Sequence, residues 1–304
     1  MDVLAATLFY DSIIALIVAV IPLFFVELWR RWPKIKRRRE YEIVSVLLAI
    51  VWLVIFYGSF IAPKILTVRE YPVSLGRTGK HLRIAVLADF HLGVYRHAEW
   101  VARVVKKVNA LHPDAVIIAG DSASNPAGLA DFAPLRDLES RFGSYAVLGN
   151  HDYHVGAVGV RKAIESYNVE VLTNESVPIA LDGQIIRLAG LDDIIFGSPD
   201  WPAALAARQP GEKVIVAVHN PDAAPRAEAE KVDLVIAGHT HCGQVRLPFI
   251  GPVPRIPTDL GRRYDCGLFD FGKTRLFITP GVGESGARAR LFDPPEISIL
   301  EISL

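Results

Sequence analysis

Asp89 and His91, and again His239 and His241, stand two residues apart, a spacing at which side chains on an extended segment point the same way and can reach a common ion. Gly120-Asp121, Gly149-Asn150-His151-Asp152 and His219-Asn220 offer donors of the same kind. Carboxylate, imidazole and amide donors without thiolate suit Mn, Zn, Fe or Mg, and a carboxylate such as Asp121 can bridge two cations. The set supplies enough donors for a pair of divalent metal ions. Taken singly, Asp-x-His or Gly-Asp is ordinary loop sequence. Gly-Asn-His-Asp and Gly-His-Thr-His are far more specific, and all five groups in order argue against a purely structural origin. The two cysteines, Cys242 and Cys266, lack the CxxC spacing of a structural zinc site.

What must position these groups is a set of strands. After residue 80 the chain turns to short apolar runs separated by helical and loop sequence, the pattern of an α/β domain with buried strands. Leu82–Ala88 ends in Asp89-Phe-His91, Ala115–Ala119 in Gly120-Asp121, and Tyr145–Leu148 in Gly149-Asn-His-Asp152. Val214–Val218 ends in His219-Asn220 and Asp233–Ala237 in Gly238-His-Thr-His241. The carboxyl ends of such strands form the rim where ligands bind, so distant residues can converge there. Gly120, Gly149 and Gly238 are expected to permit the tight turns that swing the next ligand inward. Later, Val177–Leu181, an Asp182-Gly183 turn and Ile185–Leu188 read as a hairpin, and Arg275–Thr279 and Glu296–Ser303 as further strands.

These residues resemble the ordered blocks of the calcineurin-like metallophosphoesterase superfamily over roughly residues 81 to 304. Val218-His-Asn-Pro-Asp222 and Gly238-His-Thr-His-Cys-Gly-Gln-Val-Arg-Leu-Pro248 are similar to a bacterial, membrane-attached branch with a GHTHxGQ motif, which ordinarily carries Gly in place of Cys242. The resemblance implies two packed mixed β-sheets flanked by helices, a four-layer sandwich. It also implies one metal held by Asp89, His91, Asp121 and His241 and a second by Asp121, Asn150, His219 and His239. His151 would stabilise the transition state and protonate the leaving oxygen, with Asp152 orienting it. The implied reaction is hydrolysis of a phosphate ester or pyrophosphate, water attacking in line opposite His151.

Neighbouring residues carry weaker signals. His154 is expected to be packed or solvated, Asp192 and Asp193 to face the cleft or cap a loop, and Arg288 and Arg290 to bind phosphate or form a solvated pair. Cys242 and Cys266 approach each other only if the downstream loop folds over the site, and an extracytoplasmic location would permit a disulfide.

The first sixty residues belong to a different solvent. Leu4–Leu28 and Ile43–Ala62 are almost wholly apolar, and each is long enough to cross about 30 Å of hydrocarbon at 1.5 Å per residue. Between them, seven basic residues crowd into Arg30–Arg39, a linker expected to stay cytoplasmic. The first segment lacks a signal peptide's basic start and cleavage pattern. Residues 1–62 therefore read as a transmembrane hairpin of the inner membrane, and residues 63–304 as an extracytoplasmic catalytic domain. Outside the linker 26 basic residues (33 − 7) face 33 acidic ones, a balance that excludes a nucleic-acid partner.

The anchor directs the functional reading to a lipid-linked phosphate or pyrophosphate, with membrane lipid as partner. A broad-specificity phosphodiesterase or phosphatase is the second reading and a non-catalytic metal scaffold the third. Resemblance to membrane-associated hydrolases of UDP-2,3-diacylglucosamine conflicts with this topology, because that substrate is cytoplasmic.

Overall fold

The computed structural model describes residues 3–35 and 38–304, so Lys36 and Arg37 of the basic linker lie outside the described residues. Helices α1 (Val3–Arg31) and α2 (Arg38–Phe56) run antiparallel, with the Trp52 indole N–H donating to the Val18 carbonyl at 3.0 Å. Leu16, Leu23, Leu47 and Leu53 are 58–66% exposed along them. Protein does not cover this apolar surface, unlike that of a core helix, and both helices are long enough to cross a membrane.

Both ends of this hairpin that touch the rest of the chain lie on the same side. Near the start of α1, Asp11 accepts a hydrogen bond from the Tyr95 hydroxyl at 2.9 Å. Beyond α2 the chain continues through a π turn (Tyr57–Ile61) and a 3-10 turn (Ala62–Lys64). There the guanidinium of Arg96 binds the Pro63 carbonyl and Glu284. Arg30, Arg31 and Arg38, the described helix-end residues of the basic linker, are at the opposite end.

The body contains β1 (Thr67–Ser74), β2 (His81–Leu87), α3 (Ala98–Asn109), β3 (Ala115–Ala119), β4 (Ser144–Val147), α4 (Asn150–Val155), α5 (Ala157–Glu165), β5 (Glu170–Val171), β6 (Glu175–Leu181) and β7 (Gln184–Gly190). It continues with α6 (Trp201–Leu205), β8 (Lys213–Ala217), α7 (Ala224–Ala229), β9 (Leu234–Ala237), β10 (Arg246–Leu247), β11 (Gly251–Pro252), β12 (Gly267–Phe271), β13 (Thr274–Ile278) and β14 (Glu296–Ser303). The strands form two six-stranded mixed sheets, β1-β14-β2-β3-β4-β5 and β12-β13-β9-β8-β7-β6, and a small β10-β11 hairpin.

Ile84, Ile117, Val147, Ile215, Ile236 and Phe277 meet between the sheets. Trp100 and Val104 of α3 and Val160 and Ile164 of α5 cover the outer face of the first sheet, while α6 and α7 cover the second. Burial on both faces explains the nearly continuous apolar runs of β2, β3, β8 and β9. The result is the expected four-layer sandwich. The five runs expected to carry ligands are strands β2, β3, β4, β8 and β9, parallel to one another within each sheet.

β1, β5, β10, β11 and β12 have no counterpart in the expected pattern. Pro72 and the exposed Arg69 and Glu70 hide β1 from an apolar-periodicity reading. Its residues pair in parallel with β14 at the edge of the first sheet, where such residues are tolerated.

Candidate metal centre

The strand ends converge. Asp89, His91 and His241 present ligand atoms within 4.8 Å of one another, and so do Asp121, His219 and His239. Asp121 Oδ2 lies 3.1 Å from His219 Nε2 and 3.6 Å from His91 Nε2, and so faces both groups. Asn150 opens α4, and His151 Nε2 stands 4.0 Å from the same carboxylate oxygen.

The backbone turns differently from expectation. Asp89, His91, Asp121, His239 and His241 themselves adopt left-handed φ values of 50–70°. Each such residue costs about 1–2 kcal/mol, a strain that recurs at functional sites. Of the three glycines, only Gly120 is left-handed, at φ +87°. Gly149 and Gly238 are needed for room: a Cβ at Gly149 would sit 2.3 Å from Asp121 Oδ1, and one at Gly238 would sit 2.8 Å from the Ala88 Cβ.

Several donors and acceptors converge without partners. Asp89 Oδ2, Asn150 Oδ1, His151 Nδ1 and His241 Nδ1 are buried and make no hydrogen bond. An unpaired buried polar atom costs about 1–3 kcal/mol. Two ring-to-ring contacts complete the cluster, His91 Nε2 to His241 Nε2 at 3.0 Å and His219 Nε2 to His239 Nδ1 at 3.1 Å. Carboxylate, amide and imidazole atoms gathered in this way, several of them unpaired, suit cations, so the residues fit a metal site.

The electrostatics divide the imidazoles. Burial, aided by His151, holds His91 down to about 3, and burial with His219 nearby holds His239 down to about 4. Both rings are thus neutral and free to ligate at neutral pH. Burial works against charge on His219 as well, but the Asp121 carboxylate beside it prevails and raises the imidazole to about 10, so a cation bound there would displace that proton. Its Nδ1 is engaged by the Ala119 carbonyl at 2.8 Å, which aims Nε2 at the site.

Asp152 makes no hydrogen bond to the His151 ring, contrary to the orienting role expected. Its Oδ1 accepts from the backbone N–H groups of Ser122 and Ala123 at 2.9 and 3.0 Å, and its Oδ2 from Gly149 N–H at 3.0 Å. The carboxylate therefore ties the loop bearing Asp121 to the turn bearing Asn150 and His151.

Other expectations are resolved by packing. Arg290 is fully buried and its guanidinium binds Asp293 and the carbonyls of His241, Pro280 and Gly283. It is a scaffold, neither a phosphate ligand nor a solvated residue, while Arg288 lies over Tyr95. Asp192 and Asp193 cap the loop through Ser198, Ile195 and Phe196 N–H groups. His154 packs edge-on against Phe196 with centroids 4.6 Å apart.

Cys242 and Cys266 form a disulfide, with Cα atoms 5.0 Å apart. Cys242 has φ 53°, a conformation that glycine adopts freely, and the cross-link holds it directly after His241. Ser124, bonded to His91 Nδ1 at 3.0 Å, belongs to the site and was not foreseen. Its position three residues after Asp121 on the same strand-end loop was the available signal.

The family model for calcineurin-like phosphoesterases matches residues 82–243, the segment that carries all of these groups except Cys266 and the Arg288–Asp293 loop. The chain belongs to that family. This metallophosphoesterase is similar to the metallophosphoesterase YkuE of Bacillus subtilis, 31% identical over 81% of this chain and 88% of the relative. It is also similar to the metallophosphoesterase Cj0846 of Campylobacter jejuni, 32% identical over 88% of this chain and 73% of the relative. The phosphodiesterase YaeI of Escherichia coli is 31% identical over 72% of this chain and 82% of its own length. As a metallophosphoesterase the chain is a metal-dependent hydrolase of phosphoester bonds. Its pocket is lined by Asn150, His151 and His239 together with Gln244, Arg255 and Ser285.

Proposed function

We propose that this phosphoesterase is membrane-anchored, works with two divalent ions and hydrolyses a lipid-linked phosphate ester or pyrophosphate. The observation that carries the dinuclear reading is the position of Asp121 Oδ2 between His219 and His91. One ion would be held by Asp89, His91, Asp121 and His241, the other by Asp121, Asn150, His219 and His239. Bound there, such ions supply hydroxide at neutral pH and neutralise charge on phosphoryl oxygens.

The remaining work falls to the protein's own groups. His151, with 18% of its side chain exposed, is open to the pocket and donates a proton to the leaving oxygen. Asp152 acts one step back, holding the backbone on which Asp121 and His151 stand.

The hairpin geometry supports residues 1–62 as the anchor and residues 63–304 as an extracytoplasmic catalytic domain. The start of α1 and the end of α2 meet the body, whereas the basic linker lies at the far end, where it would stay cytoplasmic. A disulfide beside the site accords with an oxidising compartment.

The test is turnover by the full chain, loaded with Mn, Zn, Fe or Mg, against phosphatidic acid, phosphatidylglycerol, a polyprenyl pyrophosphate and soluble bis(p-nitrophenyl) phosphate. Activity on a lipid ester with two metals per chain is expected; turnover of the soluble diester alone favours the broad phosphodiesterase suggested by the E. coli relative's name. Protease cleavage of the body in right-side-out vesicles tests the orientation, and protection there would reverse it.

A further inference from the structure

The β10–β11 hairpin departs from ordinary surface chemistry. Leu247, Phe249, Ile250 and Val253 stand 39, 109, 64 and 54% exposed on one short turn. An exposed apolar group of this kind marks a contact with a partner or a membrane.

Its place in the fold selects between them. The Leu291 N–H donates to the Gln244 carbonyl and the Arg246 N–H to the Leu291 carbonyl, both at 2.9 Å, while the Arg290 N–H donates to Gly58 in the π turn after α2 at 2.8 Å. The root of the hairpin is therefore two hydrogen-bonded steps, roughly 10 Å at ladder spacing, from the segment where the chain leaves its apolar helices. Phe292, 65% exposed, follows Leu291. The Arg262 guanidinium fastens the turn through the Pro252 carbonyl.

At the base of the hairpin, exposed Arg255 lines the metal pocket together with Asp121 and His151. It has no acidic partner among the described residues. A free guanidinium at the mouth of a phosphoesterase pocket, next to an apolar turn, is complementary to an anionic lipid: headgroup against arginine and acyl chains against Phe249 and Ile250.

We propose that the Leu247–Val253 hairpin is a second membrane contact, seated in a bilayer that contains anionic phospholipid. It would lay the pocket mouth on the lipid surface, where Arg255 receives the headgroup phosphate. This deepens the lipid-linked reading given above and rests on it for the substrate, but not for the membrane contact itself.

The native cysteines are paired with each other, so one introduced thiol can be spin-labelled without reductant. Full-length Phe249→Cys in phosphatidylcholine/phosphatidylglycerol nanodiscs is compared with Leu53→Cys on α2 and Val158→Cys on α5. Relaxation by oxygen over a water-soluble nickel chelate should place Phe249→Cys with Leu53→Cys; a label as open to nickel as Val158→Cys overturns the membrane contact. If Leu53→Cys itself is open to nickel, the anchor fails separately.

Phe249→Ser/Ile250→Ser should lower kcat/KM on lipid ester by at least about tenfold, the equivalent of about 1.4 kcal/mol, and leave soluble bis(p-nitrophenyl) phosphate unchanged. An equal fall on both, or on neither, overturns the role in substrate delivery. Wild-type turnover of the soluble diester with none of the three lipids overturns the substrate assignment while leaving the label result intact.

Discussion

His91 and His241 face each other Nε2 to Nε2 at 3.0 Å in a site from which water is almost excluded. Burial pushes His241 well below its usual value and His91 to about 3, so neither ring is charged at neutral pH. A cation between them would replace this single contact with two bonds. Chelation should therefore lower the melting temperature, and metal at a hundredfold excess over Kd should restore about 3 kcal/mol. Calorimetry with and without chelator checks this; identical curves would show that these residues hold no metal.

His151→Ala should keep its metal and lose roughly 10²- to 10⁴-fold in kcat, the range for a general acid. Asp121→Ala should lose both metal and turnover, because its carboxylate faces both histidine groups. Metal analysis beside steady-state kinetics separates the two. Full diesterase activity with two metals in Asp121→Ala would end the assignment.

The three N–H groups gathered by Asp152 make it a structural clamp with catalytic consequences. Asp152→Ala should destabilise the fold by about 3 kcal/mol, since buried donors are left unpaired. It should weaken metal affinity as well as kcat, unlike His151→Ala. Denaturant unfolding and metal titration provide the readout, and a pure kcat effect would restore the direct orienting role.

Cys242–Cys266 closes a loop over 24 residues, worth about 3 kcal/mol in the chain-entropy picture. Since Cys242 adjoins His241, reduction should reduce metal affinity as well as stability. Replacement by Cys242→Gly with Cys266→Ser should recover part of the loss, because glycine relieves the left-handed backbone at φ 53°. Competition with a fluorescent chelator before and after reduction measures it.

Burial raises the Asp293 carboxyl to about 6 despite the neighbouring Arg290. A carboxyl that holds its proton more tightly when folded favours the fold at low pH. That contribution fades as pH rises from about 4 to about 6, by up to about 3 kcal/mol. In chelator, to remove metal linkage, unfolding free energy of Asp293→Asn should vary less across this window. An unchanged slope would show that Asp293 does not carry the dependence.

The donor set was legible in the sequence because each ligand candidate follows a short apolar run, and buried parallel strands deliver their C-terminal ends to one rim. The two long apolar segments were equally plain, since hydrocarbon-length helices need only composition and length. Asp152 misled because Gly-Asn-His-Asp reads as adjacent chemistry, whereas α4 turns its carboxylate away from His151 toward backbone donors brought from β3. The disulfide, the buried guanidinium of Arg290 and the pocket lined by both Arg255 and Asp121 each join segments separated by loops of irregular length. Periodicity specifies which face of an element is buried, but the path of a loop depends on the sum of tertiary contacts it finds. Thus the sequence by itself determined the donor set at the strand ends and the two long apolar helices, and the packing of the β9–β14 loops decided what surrounds them.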